Sequence, residues 1–220
     1  ITSDKKYLFE NTTFQNNCPI IKKSKIFSLE NKVNIHLGSL LLKVKESNKL
    51  VNRSILINKK GRIESYYDKN NLFDVNINKI ESHRESDSFN KGNKLITSIV
   101  DGVKIGLTIC YDLRFPLLYR KLAKKGAKII LIPSAFTVPT GKAHWETLVR
   151  ARAIENSSFV VATNMCGIHH SGRRTYGYSL LIDPWGNKLN HCSSKPKILN
   201  SIINLDQINI VRSKIPSINN

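Results

Sequence analysis

Negative charge is what this chain has little of: 16 Asp and Glu stand against 35 Lys and Arg in 220 residues, a formal net charge of +19. A chain so short of carboxylates is a natural candidate for binding polyanions. The lysines, however, are spread along the whole sequence among many Asn and Ile, and Lys22-Lys23-Ser24-Lys25 is only a modest cluster. No nucleic-acid-reading motif occurs, so the excess reads as solvated lysine faces, with no specific nucleic-acid partner. Long apolar runs are missing as well. None approaches the ~20 residues that cross a bilayer, which argues against a membrane partner. Cysteine is sparse and scattered, at Cys18, Cys110, Cys166 and Cys192 with no CxxC pair. That spacing speaks against a disulfide framework or zinc site and for a reducing, cytoplasmic setting. His169-His170 and His191-Cys192 lack the further ligands a metal needs, so no metal or other cofactor is expected. The opening ITSDKKYLFENTTFQNN is polar and carries no signal-peptide pattern.

What is present suits one soluble domain over residues 1–220, 40% hydrophobic and 23% charged. Pro19–Asn31 has a weak helical stripe. Val33–Val44, Leu50–Asn58 and Arg62–Tyr67 read as strands, the last two joined by the turn NKKG at 58–61. Lys69–Asn93 is long, polar and irregular, as functional loops are. Beyond it the pattern alternates. Leu113–Lys125 is a helix stopped by Gly126, and AKIILIP at 127–133 is a strand buried on both faces. A loop over Ser134–Ala143 precedes a helix over His144–Asn156. The strand Phe159–Thr163 is followed by a Gly-, His- and Arg-rich loop over Met165–Thr175. Tyr178–Ile182 pairs across the turn Asp183-Pro184-Trp185-Gly186, and Ser201–Asn204 is a last strand before a short polar tail. Strands alternating with covering helices predict an α/β layered fold.

The rest is arranged around Lys104–Pro116, KIGLTICYDLRFP. Ile105, Leu107 and Ile109 form a short buried strand that ends on Cys110, with a polar turn, Tyr111-Asp112, directly after it. Strand, sharp turn, helix is the geometry that lifts one nucleophilic side chain over a sheet edge, with backbone N–H groups facing it. A helix start also favours the reactive thiolate form. A lone Cys in an apolar run is more often plain core, so the context must decide.

That context is GLTICYDLRFP, YDKNNLFDV, PSAFTVPTGKAHWETLVRARAIEN and TYGYSLLIDPWG, which in this order resemble the nitrilase superfamily of carbon–nitrogen hydrolases. TGKAHWE and RRTYGYS are most similar to its deaminated-glutathione-amidase branch. The resemblance implies a four-layer α-β-β-α sandwich, here without its first strand and first helix, in a chain that also stops soon after Lys214-Ile215-Pro216. It implies a Glu–Lys–Cys triad in which the cysteine falls on Cys110 and the lysine on Lys69. A second glutamate, orienting lysine and substrate, falls on Glu85. The triad glutamate falls either on Glu10 or just before Ile1, and the second alignment restores the usual spacing to the Gly38-Ser39-Leu40 strand. Asn71 stands where the lysine motif usually has histidine, and Leu117 where an acidic residue is common.

The chemistry needs these groups. A thiolate attacks the amide carbon, and a carboxylate carries the thiol proton to the departing amine. The oxyanion is held by the lysine ammonium and the Tyr111 backbone N–H. Glu146, with Arg150 and Arg152 on the same helix, reads as a wall of the site or as a structural ion-pair network. Arg173 and Arg174 form a cationic loop suited to a carboxylate-bearing substrate. The expectation is a cysteine hydrolase of small linear amides, releasing ammonia through a thioester, with deaminated glutathione as the leading substrate and a homo-oligomer as the working form. The alternatives are an omega-amidase or other small-amide hydrolase, and a catalytically inert member lacking the triad glutamate.

Overall fold

A computed structural model describes residues 5–76, 82–169 and 172–218. They fall into two compact units, one ending at Lys94 and the other beginning at Leu95.

The N-terminal unit opens with a short helix, α1 (Lys5–Glu10), and a longer one, α2 (Pro19–Asn31). Pro19 stands in the first turn of α2, where a missing N–H is no loss, and Lys32 ends it in the left-handed region at φ 53°. Three antiparallel strands follow in the order β1 (Ile35–Lys43), β2 (Leu50–Ile57), β3 (Ile63–Asp68). The expected turn at 58–61 joins β2 to β3: the Asn58 side-chain oxygen accepts the N–H groups of Lys60 and Arg62. Gly61 there has φ 69°, and a Cβ on it would lie 2.7 Å from the Lys25 carbonyl oxygen of α2. Only glycine allows that approach. Cys18, Ile21, Leu42, Val51, Ile55 and Ile57 close the core between helix and sheet. The polar stretch beyond Lys69 is more ordered than its composition suggests. It holds a small ladder, β4 (Asp74–Asn76) with β5 (Ser82–Arg84), and then a 3₁₀ turn at Glu85–Asp87.

In the C-terminal unit a hairpin, β6 (Thr97–Val100) and β7 (Val103–Leu107), turns at Asp101-Gly102, both at positive φ as a tight hairpin requires. A 3₁₀ turn at Cys110–Arg114 leads to α3 (Pro116–Lys124) and β8 (Ile129–Leu131). Next come α4 (Val138–Asn156), β9 (Phe159–Ala162), β10 (Cys166–Ile168) and β11 (Arg174–Tyr176). β12 (Leu180–Ile182), β13 (Lys188–His191) and α5 (Asp206–Lys214) complete the unit. Its sheet runs β13-β12-β9-β8-β7-β6, with β7, β8 and β9 parallel at the centre. Ile130 and Val160 are fully buried there, as a continuous apolar run predicts for a central parallel strand. α4 packs on β9, β12 and α3, and Trp145, Val149, Ala153, Tyr119 and Leu122 fill the core beneath.

Several elements differ from the sequence reading. The helix expected from Leu113 starts at Pro116, because Leu113 belongs to the 3₁₀ turn. The helix expected from His144 starts at Val138. Pro139 sits in its first turn, where proline is tolerated, and Gly141 is a close-contact position rather than a breaker. A Cβ on Gly141 would lie 2.2 Å from the Tyr176 ring. The loop expected over Met165–Thr175 contains the β10–β11 hairpin. Ser201–Asn204 is not a strand; Ile202 there is 99% exposed. The expected polar tail instead folds as α5, which buries Ile208 and Val211 three residues apart on one face.

Candidate active site

Cys110 stands where the central strand β7 ends. Past Leu107 the chain keeps its ladder: Thr108 N–H donates to the Leu131 carbonyl at 3.2 Å and Cys110 N–H to the Pro133 carbonyl at 2.9 Å. Ile109 is extended at φ −139°, and Cys110 then flips to φ 49°. A non-glycine residue in the left-handed region is strained, and such strain persists only where the surroundings over-determine it. Here they do. Asp112, fully buried, accepts the Ile109 N–H on Oδ2 at 2.9 Å, and Phe115 N–H donates back to the Asp112 carbonyl at 2.9 Å. Cys110 itself is partly exposed and free of any disulfide. Tyr111 is the next residue of the 3₁₀ turn. This is a sharp strand-to-turn elbow with a sulfur at its apex.

In the N-terminal unit the structure brings Lys69 and Glu85 together. Lys69 follows the last residue of β3, its N–H donating to the Asn52 carbonyl at 3.0 Å and its carbonyl accepting from Gly92 at 2.8 Å. Its side chain is 4% exposed and reaches Glu85 Oε2 at 2.6 Å. The same oxygen accepts the Phe73 N–H at 2.6 Å, and Asn52 Nδ2 donates to Oε1 at 3.4 Å. Without its carboxylate a buried ammonium would be expensive. The pairing therefore fixes the lysine head in one place. Asn52 and Phe73 are members of this cluster that no sequence pattern singles out, since both act through strand register and backbone.

The remaining candidates lie in the C-terminal unit. Glu146 is half-exposed and held by Lys188 at 2.8 Å and Arg150 at 2.9 Å, which together pull its carboxyl below the ordinary range. That is the ion-pair network, one of the two roles open to it. Arg173 is partly buried; its Nη2 donates to the Ala135 carbonyl at 3.2 Å, and its buried Nε has no partner among the described residues. Arg174, its neighbour, is exposed on β11. His169 is held by Thr175 at 2.8 Å, and burial together with the Arg173 charge lowers its pKa. His170 lies outside the described residues. Glu10 closes α1 and is exposed. Among the described residues no group of three His, Cys, Asp or Glu could hold a metal ion, and no helix is long and apolar enough to cross a membrane.

A strained cysteine elbow after a central parallel strand, in a chain with a buried Lys–Glu pair, can be compared with known proteins. Residues 5–212 match the family profile described as carbon–nitrogen hydrolase. The chain belongs to the carbon–nitrogen hydrolase family. It is 41% identical over 207 residues to the deaminated glutathione amidase of Dictyostelium discoideum, covering 91% of this chain and 70% of that protein. Among solved structures, the C. elegans NitFhit protein is similar with a TM-score of 0.86 and 35% identity, over 91% of this chain and 49% of that one. The crystal structure of Saccharomyces cerevisiae Nit3, a member of branch 10 of the nitrilase superfamily, gives a TM-score of 0.85 at 25% identity over 97% of this chain and 76% of that one. The chain spans 70% of the length of the Dictyostelium discoideum protein and 52% of that of the Bos taurus deaminated glutathione amidase. Its α/β fold is that of the nitrilase superfamily, as the motif order implied.

Proposed function

We propose that this carbon–nitrogen hydrolase cleaves small linear amides with Cys110 as nucleophile. The observation that carries the reading is the positive-φ elbow at Cys110, held by Asp112 and Pro133 in a family that hydrolyses carbon–nitrogen bonds. The sulfur attacks the amide carbon, and the oxyanion is stabilised by the Lys69 ammonium and the Tyr111 N–H, a contribution of about 3 kcal/mol per well-placed donor. A carboxylate carries the thiol proton to the leaving nitrogen, and ammonia departs. Water then opens the thioester to a carboxylic acid and regenerates the thiol. Glu85 keeps the Lys69 head in place throughout. That Lys69, Glu85 and Cys110 serve one reaction rests on this division of chemical labour and on the family's motif order.

The substrate class proposed is an amide that also carries carboxylate, deaminated glutathione first, after the name of the similar amidases. Arg173, whose guanidinium is anchored on the Ala135 carbonyl, and Arg174 are the proposed partners of that carboxylate. Four free cysteines fit a reducing compartment, the cytoplasm, and a second copy of the chain is the proposed partner. Ammonia release from a panel of deaminated glutathione, dicarboxylate monoamides and uncharged amides tests the reading. Turnover that vanishes in Cys110→Ala while the fold stays intact is the expected result; turnover that survives in Cys110→Ala rejects it. A preference for dicarboxylate monoamides would favour an omega-amidase.

A further inference from the structure

Under the Cys110 turn lie buried polar side chains that the proposed reaction leaves unused. Thr108, Asp112 and Tyr119 are fully buried and Arg152 is 5% exposed. Buried charges persist when they are paired and hydrogen-bonded, and here the bonds converge on one short turn. Arg152 reaches up from α4 and donates Nε–H to the Leu113 carbonyl at 2.9 Å. Its Nη1 meets Glu155 at 3.0 Å, one turn along the helix. The guanidinium also stands 5.4 Å from the centre of the Tyr119 ring. The Tyr119 hydroxyl lies 3.0 Å from Thr108 Oγ1, which in turn donates to the Leu131 carbonyl at 2.9 Å. Thr108 and Asp112 flank Cys110 two residues away on either side. Burial and the Asp112 carboxylate hold the Tyr119 hydroxyl well above its ordinary pKa, and Arg152 and Cys110 act on it too, so all four share one electrostatic environment.

We infer that Arg152 is a positioning residue for Cys110: it clamps the 3₁₀ turn through the Leu113 carbonyl and so holds the strained start at Cys110 in place. The bond to Leu113 ties the middle of the turn to a 19-residue helix, so the strained start at Cys110 cannot relax by letting the turn unwind. Among the described residues of this unit, the charged and titratable groups around the turn include Cys110, Tyr111, Asp112 and Arg114 of the turn itself, Tyr119 of α3, and Arg152 with its partner Glu155 on α4. His144 of α4 faces Arg114, Nδ1 to Nη2 at 3.2 Å.

The inference rests on Cys110 being the proposed nucleophile, and the test separates the two. The full chain is compared with Arg152→Met and Arg152→Lys. Alkylation of Cys110 by iodoacetamide at pH 7 is followed by peptide mass, and ammonia release gives kcat and KM. Arg152→Met is expected to slow alkylation about tenfold and to lower kcat about 100-fold, with KM changed by less than about twofold, as the sulfur loses its fixed place. Arg152→Lys keeps the alkylation rate near that of the parent but lowers kcat about tenfold, since one ammonium does not reproduce the guanidinium fork. If Arg152→Met lowers only the melting temperature and leaves both rates unchanged, Arg152 is a strut and the inference fails. Should Arg152→Met not fold, Arg152→Lys decides alone: an unchanged kcat overturns it. If instead Cys110→Ala still releases ammonia, it is the nucleophile reading that falls.

Discussion

At the scale of single residues, two buried groups set measurable thresholds. Glu85 is the carboxylate that pairs at 2.6 Å with the nearly enclosed Lys69. Glu85→Gln keeps an acceptor but removes the counter-charge, and is expected to cost about 2 kcal/mol of stability. Denaturant unfolding should show a lowered midpoint together with a fall in amide turnover. A stable but inactive Glu85→Gln would mean the carboxylate serves the reaction without supporting the fold. His36 on β1 is the second group. Burial lowers its pKa to about 4, and its Nε2 meets the Ser54 hydroxyl. The sign follows directly. The folded state holds His36 neutral, so its contribution is intact above the unfolded value of 6.5 and is lost as pH falls from 6.5 through 4. The loss is about 2 kcal/mol after allowing for the ring's partial exposure. An acid-unfolding midpoint that moves to lower pH in His36→Gln checks it; an unmoved midpoint refutes it.

Elements were legible where one face is uniformly apolar and hidden where a single atom decides. The run AKIILIP announced a buried strand, and β8 lies there between β7 and β9. The turn at 58–61 was equally plain, since Asn and Gly there do what only they do cheaply. α4 was misjudged at its start because Pro139 and Gly141 usually punctuate chains, yet proline is tolerated in a first helical turn and this glycine makes room for an aromatic ring. Gly141→Ala is therefore expected to destabilise by about 2 kcal/mol through overpacking on Tyr176, lowering the melting temperature by roughly 5 °C. A neutral Gly141→Ala would show that the β11 strand can step aside. α5 was missed because its buried stripe is only Ile208 and Val211 among polar neighbours. The candidate site divides the same way. Cys110 was visible as the end of an apolar run before a polar turn. Asn52 and the Phe73 N–H were not, because strand register and a folded-back loop bring them to Glu85.

For the whole molecule, charge and chemistry make different demands. A net charge of +19 gives weak attraction to any polyanion. Retention on DNA is expected to be independent of sequence and gone by about 0.2 M salt, the mark of counterion release alone. Retention that survives such salt would mean a built nucleic-acid site. The central claim, a covalent turnover on Cys110, is tested most directly by intact mass spectrometry during incubation with deaminated glutathione. The account predicts an acyl adduct lighter by one ammonia than the bound amide, mapped to Cys110 and absent in Cys110→Ser, with free ammonia in solution. Ammonia release with no adduct at Cys110, or an adduct on another side chain, would contradict it.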